Sequence, residues 1–300
     1  MAEVICQFQL TKVSVGVLPP WSPGSHIDVH VPGGLVRQYS LCGTLDDRYA
    51  IAVLRDTGAR GGSIAMHDQA AVGTRLVISP PRNHFPLNPD APHSLLFAGG
   101  IGITPILSMI DELHRTGQTF EMHYCARSRA RMAYAERLTG PSCHLHFDDG
   151  DAAQRLDAAT ILASQPAGTH LYVCGPTGFM AHVLAAAEMA GWSQDRVHRE
   201  CFTGTTANTG HGVSFQVQLA STGQTITVTE DQSVVAALAT AGIDIPTACE
   251  QGVCGTCLTG ILQGKPDHRD VYLTPSEQAT NDQFTPCCSR AKSPLLVLDL

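Results

Sequence analysis

A chain of 300 residues with 43% hydrophobic content is long enough for two or three compact domains, each with its own core. Its net charge of −8 gives no basic footprint for nucleic acid or an anionic membrane. No apolar run is long enough to span a bilayer, and Met1-Ala2-Glu3-Val4 lacks the basic start and cleavage pattern of a signal peptide, so a cytoplasmic location is expected.

Residues 1–92 read as a strand-rich module. The runs 26–31, 49–54 and 74–78 alternate or are β-branched, with Gly and Pro between them, and a small antiparallel barrel is their natural packing. The stretch from Met1 to Trp21 is short and irregular, so the barrel is expected to lack one strand or to start differently. In Arg37-Gln38-Tyr39-Ser40-Leu41, alternation puts Arg37 and Tyr39 on one face and Ser40 opposite or at a bend. That face offers the aromatic wall and positive charge a flavin needs, although such pairs are more often a solvated charge and a half-buried ring. Arg60-Gly61-Gly62-Ser63 precedes a short helix at Ile64 to Asp68. Backbone N–H groups and a helix dipole placed so can cradle a phosphate, and an empty glycine loop has the same pattern.

From His93 to about Thr203, apolar strands alternate with helices. Ser94 to Ala98 leads into a helix whose Ile103, Ile106, Leu107, Ile110 and Leu113 share one face and which stops at Gly117. Phe120 to Ala126, His144 to Phe147 and His170 to Cys174 are further strands, the pattern of a βαβ domain with a parallel sheet. The turn containing Gly99, Gly100 and Gly102 is not the G-x-G-x-x-G fingerprint. Its glycines nonetheless remove side chains that would block a dinucleotide, with Thr104 expected as the helix cap and Pro105 at the first helical position. Cys174-Gly175-Pro176 and the following segment to Met180 make a second strand-to-helix passage, in which Cys174 alone reads as a buried thiol. Arg127 offers charge for a 2′-phosphate, whereas Asp148 and Asp149 would repel one. Glu200 alone reads as a solvated acid at a domain edge.

Residues 204–212 are small, polar and glycine-rich, as a linker is. Beyond them, Val213 to Ala220 and Gln224 to Thr229 suggest a hairpin, 233–241 a helix, and Thr274-Pro275-Ser276-Glu277 a capped helix start. Eleven cysteines, odd in number, fit a reducing compartment better than a disulfide framework. Cys249, Cys254 and Cys257, followed by the pair Cys287 and Cys288, have the plant-type C-x4-C-x2-C…C spacing of a [2Fe–2S] cluster. Gly252 and Gly255 let the loop turn sharply and bring N–H groups to the sulfurs. A structural zinc ion is the competing reading of Cys254 and Cys257, but no second well-spaced half-site accompanies them. Spacing leaves open which of Cys287 and Cys288 is the fourth ligand. Cys42 and Cys201 are expected to be packing thiols.

Residues 212–300, with Gly-Val-Cys-Gly-Thr-Cys, Asp267-His268-Arg269-Asp270 and the ending from Cys287 to Lys292, resemble the ferredoxin domain of the phthalate dioxygenase reductase family. That family includes the vanillate demethylase and carnitine monooxygenase reductase components. Arg-x-Tyr-Ser and Arg-Gly-Gly-Ser are similar to the same branch of the ferredoxin-NADP reductase superfamily. The resemblance implies an antiparallel flavin-binding β-barrel over 1–92, an α/β parallel-sheet nicotinamide domain over 93–203, and an α+β (β-grasp) plant-type ferredoxin domain over 213–300. It implies FMN, with FAD left open: Arg60, Gly61, Gly62 and Ser63 would face its phosphate, and Arg37, Tyr39 and Ser40 its ring. It places Gly99, Gly100, Gly102 and Thr104, then Cys174, Gly175, Pro176 and Met180, around a nicotinamide, with Glu200 near both rings. Arg127 and Asp149 are coenzyme contacts on this reading, and the coenzyme is NADH. Cys249, Cys254, Cys257 and Cys287 become the cluster ligands, and Cys288 an unligated neighbour.

The implied activity is hydride transfer from NADH to the flavin, then single electrons to the cluster and on to a separate Rieske non-haem iron oxygenase. The sequence shows no Rieske Cys/His spacing and no obvious facial triad, so oxygen chemistry is expected elsewhere. No general acid or base is required. The rival readings are a reductase for a cytochrome P450 or di-iron oxygenase, and a non-catalytic flavin and iron–sulfur redox sensor.

Overall fold

The computed structural model describes all residues except 1, 3, 15, 44–47, 59–60, 152–153 and 203–212; Arg60 and the expected linker therefore lie outside the described residues. Two compact units are present, Met1–Glu200 and Cys201–Leu300.

In the first unit, the apolar strand Tyr49–Leu54 pairs antiparallel with Ile5–Leu10, Phe8 facing Ile51. The opening segment thus does contribute a regular strand. Its signal is weak because Cys6, Gln7 and Gln9 are exposed, which dilutes the apolar pattern. Strand Ser25–His30 pairs with Val36–Ser40, and also with the short strands Val77–Ile78 and Arg82–Asn83. A bridge between Leu41 and Ile51 connects the two sheets. Ile27, Val29, Leu41, Ile51, Val53 and Met66 fill the interior of this antiparallel barrel.

The same unit holds a parallel five-stranded sheet in the order Val197–Glu200, His170–Cys174, Ser94–Gly99, Phe120–Ala126, Cys143–Phe147. The edge strand Val197–Glu200 was not foreseen, because four residues reading Val-His-Arg-Glu carry no apolar pattern. Central Ser94–Gly99 is buried at every position, as a strand covered on both faces must be. Helix Ile103–Thr116 lays its buried apolar face against the sheet and ends at Gly117, whose φ of 69° suits glycine. The chain leaves Ser94–Gly99 toward one edge and returns through His170–Cys174 on its other side. The carboxyl ends of these two strands therefore flank a topological switch point, where open α/β sheets bind ligands.

The second unit is α+β. Its sheet runs Thr225–Val228, Phe215–Leu219, Leu295–Leu298, Thr259–Gln263, Gln283–Phe284, with Phe215–Leu219 and Leu295–Leu298 parallel. Helix Val234–Thr240, capped by Ser233, adds Val234, Ala237 and Leu238 to a core of Phe215, Val217, Phe284, Leu296 and Leu298. Helix Pro275–Thr280 starts with the expected capping box: Thr274 and Glu277 satisfy each other's backbone N–H.

Candidate functional site

In the second unit, the loop after helix Val234–Thr240 brings the cysteine thiols together. Backbone N–H groups of Gln251 and Val253 approach Cys249 Sγ at 3.4 and 3.5 Å, and Thr256 N–H approaches Cys254 Sγ at 3.4 Å. Such donors stabilise thiolates. The neighbouring Cys254 and Cys287 thiols, followed by those N–H groups, hold Cys249 well below the ordinary thiol range. Cys257 is lowered mainly by Cys287. Cys249 meets the thiols of Cys254 and Cys287, and Cys287 also meets that of Cys257, so the four thiols share one site, as the plant-type spacing requires of a [2Fe–2S] cluster.

Two glycines make the loop possible. Gly252 (φ 70°) and Gly255 (φ 67°) are left-handed. A β-carbon on Gly252 would meet Cys288 Sγ and come within 2.9 Å of Asp270 Cα; one on Gly255 would run into the Tyr272 ring. Tyr272 and Thr285 were missed at the level of sequence because they act through packing contacts, and Asp270, part of the motif that carries the resemblance, had no role assigned. Asp270 is buried, accepting the Leu273 N–H at 2.8 Å and the Ser289 hydroxyl at 3.3 Å. Cys288 lies 3.3 Å from the Thr285 hydroxyl, among buried neighbours.

In the first unit, Arg37, Tyr39 and Ser40 end the strand Val36–Ser40. The Tyr39 hydroxyl is buried without a hydrogen-bond partner among the described residues, and burial pushes its pKa up to about 12. An orphaned hydroxyl at this place fits a polar ring edge. Arg37 lies against the start of helix Gly62–Gln69: a β-carbon on Gly62 would be 2.7 Å from Arg37 Cγ and Nε. Gly61, at φ 81°, has nothing within 4 Å of its β-carbon position. Ser63 is engaged locally, its hydroxyl accepting from Asp56 N–H at 3.1 Å and facing Asp56 O at 3.3 Å.

Ser40 instead donates to Glu200 Oε2 at 3.1 Å. Glu200 is not a solvated acid, the alternative its sequence position left open: its side chain is 13% exposed, and burial pushes its pKa up to about 8. His26 Nδ1 stands 4.0 Å from Glu200 Oε1, and burial lowers its pKa to about 4. The His84 ring lies beside it, tilted, with centroids 5.4 Å apart, and Arg82 pairs with Asp28 nearby. Sequence reading missed His26 and His84, whose neighbours come from remote strands.

At the switch point, the two glycine turns lie backbone against backbone. A β-carbon on Gly99 would sit 2.8 Å from Phe179 Cδ1 and 2.9 Å from Pro176 Cδ; one on Gly175 would sit 2.9 Å from Gly99 Cα; one on Gly102 would enter the Cys174 carbonyl. These three glycines serve close packing of the turns, whereas Gly100, at φ 53°, borders open space. Thr104 is not the helix cap. The helix begins earlier, after a 3-10 turn Gly100–Gly102, and the Thr104 hydroxyl donates back to Ile101 O at 3.0 Å. Cys174 and Met180 are buried. Arg127 and Asp149 are exposed at the carboxyl ends of adjacent strands, joined by Asp149 N–H to Arg127 O at 3.3 Å.

Cys42 is a packing thiol as expected: buried, 3.6 Å from the Tyr134 hydroxyl, and pushed up to about 11 by burial. Cys201 is half-buried.

Residues 217–292 match the family model for the 2Fe-2S iron-sulfur cluster binding domain, and 74–197 that for the N-terminal domain of dimethylamine monooxygenase subunit DmmA-like proteins. A vanillate O-demethylase oxidoreductase of Pseudomonas sp. (strain HR199 / DSM 7063) is 52% identical, covering 100% of this chain and 96% of its own. The solved phthalate dioxygenase reductase, described as a modular structure for electron transfer from pyridine nucleotides to [2Fe-2S], is 37% identical with a TM-score of 0.76, covering 100% of this chain and 94% of its own. The chain belongs to the phthalate dioxygenase reductase family. An intact type IV self-sufficient cytochrome P450 monooxygenase is also similar, at 40% identity and a TM-score of 0.86; this chain spans 39% of its length.

Membership in the phthalate dioxygenase reductase family gives the thiol loop its meaning: the second unit is a [2Fe–2S] ferredoxin domain. It also accounts for the order of the parts, a barrel and a parallel sheet ahead of a ferredoxin-type unit.

Proposed function

We propose that this chain is the NADH-dependent reductase component of a two-component oxygenase, passing electrons through a flavin and a [2Fe–2S] cluster to a Rieske-type terminal oxygenase. The observation that carries the reading is the loop of Cys249, Cys254 and Cys257, joined by Cys287, with backbone N–H groups at its sulfurs. A nicotinamide moves two electrons together and a [2Fe–2S] cluster takes one, so the bound flavin supplies the exchange between them.

The chain's own residues position these groups. The barrel, residues 1–92, holds FMN on this reading, with Arg37, Tyr39 and Ser40 along its ring and Arg60, Gly61, Gly62 and Ser63 toward its phosphate; FAD remains the variant to compare. The Tyr39 hydroxyl offers its unused hydrogen to a polar ring edge. Glu200 keeps its proton near neutral pH, which leaves the carboxyl uncharged beside the rings. Residues 93–203 receive NADH at the switch point, with Gly99, Gly100, Gly102 and Thr104 on one turn and Cys174, Gly175, Pro176 and Met180 on the other. Arg127 and Asp149 lie toward the adenosine end, the Asp favouring NADH over a 2′-phosphate. Residues 213–300 bind the cluster through Cys249, Cys254, Cys257 and Cys287, with 204–212 as the tether. Eleven cysteines, none of them in a disulfide, support a reducing, cytoplasmic setting, and no helix of the described residues is long and apolar enough to cross a membrane.

The likeness to the self-sufficient P450 keeps a haem oxygenase as the rival partner. Anaerobic mixing of the NADH-reduced protein with an oxidised Rieske oxygenase, and separately with a P450, tests the choice. Faster bleaching of the Rieske centre supports the proposal; preferential haem reduction contradicts it.

A further inference from the structure

Adjacent strands Phe120–Ala126 and Cys143–Phe147 carry a second set of metal-binding side chains. Glu121 and His123 alternate onto one face of the first strand, and the parallel register sets His144 beside His123. Their donor atoms converge. His123 Nε2 lies 2.9 Å from Glu121 Oε1, His144 Nε2 lies 3.6 Å from the same oxygen, and all three lie within 4.8 Å of one another.

The surrounding hydrogen bonds decide which nitrogen is available. His146 Nδ1 is 2.8 Å from the Gln154 carbonyl, which can only accept, so in the neutral ring this nitrogen carries the hydrogen and Nε2 a lone pair. His146 Nε2 is 3.1 Å from His123 Nδ1, which therefore donates to it. The neutral His123 ring is left with a lone pair on Nε2, aimed at a carboxylate oxygen 2.9 Å away. Two lone pairs at that distance repel unless a cation lies between them. A proton would relieve the pair, but gives no reason for a second imidazole at the same oxygen; a metal ion uses all three donors.

We propose that Glu121, His123 and His144 bind a divalent transition cation of the zinc class, with the fourth position open to solvent. Two imidazoles and a carboxylate are a donor set such ions accept, at ligand distances of about 2.0–2.2 Å. The supports are present: His146 orients His123, and Gln165 Nε2 donates to Glu121 Oε2 at 2.9 Å, leaving Oε1 for the ion. His123 is buried and stacked on Phe97 at 5.2 Å, which fixes one ligand. His144, with 44% of its side chain accessible, stacks on His123 at 4.8 Å and would turn off that stack to meet an entering ion. The ion ties the edge strand Cys143–Phe147 to its neighbour.

The probe is the zinc ion itself, added to the intact chain with its cluster assembled so that the thiol loop is occupied. Calorimetry is expected to show one zinc per chain, bound at least about tenfold more weakly by His144→Ala and by the near-isosteric Glu121→Gln. Zinc-edge X-ray absorption is expected to show a nitrogen and oxygen shell near 2.0–2.1 Å, not sulfur at about 2.3 Å. No binding, unchanged affinity in both variants, or a sulfur shell would overturn the site. The first of these results would mean that a proton occupies the gap.

Discussion

Ser40 donates its hydroxyl to Glu200 over 3.1 Å, joining positions 160 residues apart in one buried polar contact. Burial raises Glu200 from its ordinary 4.5 to about 8, so between those values the folded chain holds a proton that the unfolded chain has released. The stability contributed by this group is fully present below pH 4.5 and is lost as pH rises through 8. In flavin-free protein, Glu200→Gln should therefore exceed the wild type in stability near pH 9 by about 1–3 kcal/mol, and differ from it by under about 1 kcal/mol near pH 5. Urea unfolding at the two pH values checks this. Equal differences at both would mean that Glu200 is ionised in the fold.

His26 has the opposite sign. Its pKa falls from 6.5 to about 4, chiefly by burial, so the stability it contributes is present above 6.5 and is lost as pH drops through 4. His26→Gln should flatten the acid limb of the stability curve between those values, as measured by thermal unfolding across the range. An unchanged limb would assign acid lability elsewhere.

Gly252→Ala must move Cys288 or Asp270 and must also adopt a left-handed backbone. We expect cluster content to fall by more than half, read as iron and acid-labile sulfide per chain, while the first unit keeps its flavin. Full cluster occupancy in the variant would show that the loop is looser than these contacts imply.

The cysteine pair separates by its surroundings. Cys287 meets the thiols of Cys249 and Cys257, whereas Cys288 faces Thr285 and Ser289. Cys287→Ser should lose or strongly shift the cluster spectrum, and Cys288→Ser should retain it. The reverse result would exchange their roles.

Local patterns explain what was legible in advance. Cys249, Cys254 and Cys257 share one loop, so their spacing carries the chemistry directly; the Ile103–Thr116 helix and its Gly117 stop follow from periodicity and a single left-handed glycine. The Ser40–Glu200 contact joins a barrel strand to the last strand of the parallel sheet, and no spacing rule reaches that far. Thr104 looked like a cap because Thr-Pro is a common helix start, but the 3-10 turn Gly100–Gly102 begins the winding earlier and turns its hydroxyl to Ile101. Gly99 and Gly102 were read as leaving room for a dinucleotide; the structure adds a packing role that no local pattern shows, since each lies against the opposite turn, Gly99 by Phe179 and Pro176 and Gly102 by the Cys174 carbonyl.

That packing gives a further expectation. Gly102→Ala would drive a methyl group into the Cys174 carbonyl, and should raise the KM for NADH more than tenfold with a lower melting temperature. Steady-state kinetics and thermal unfolding together check it; a normal KM would place the coenzyme away from the switch point.

The most direct measurement of the central claim is anaerobic stopped-flow absorbance of the cofactor-replete protein mixed with NADH and, separately, with NADPH. The account predicts rapid flavin bleaching with NADH, followed by loss of the cluster absorbance, and a much slower response to NADPH. Flavin bleaching with the cluster left oxidised would contradict electron transfer through the Cys249–Cys287 site, and no bleaching with either coenzyme would contradict the reductase function itself.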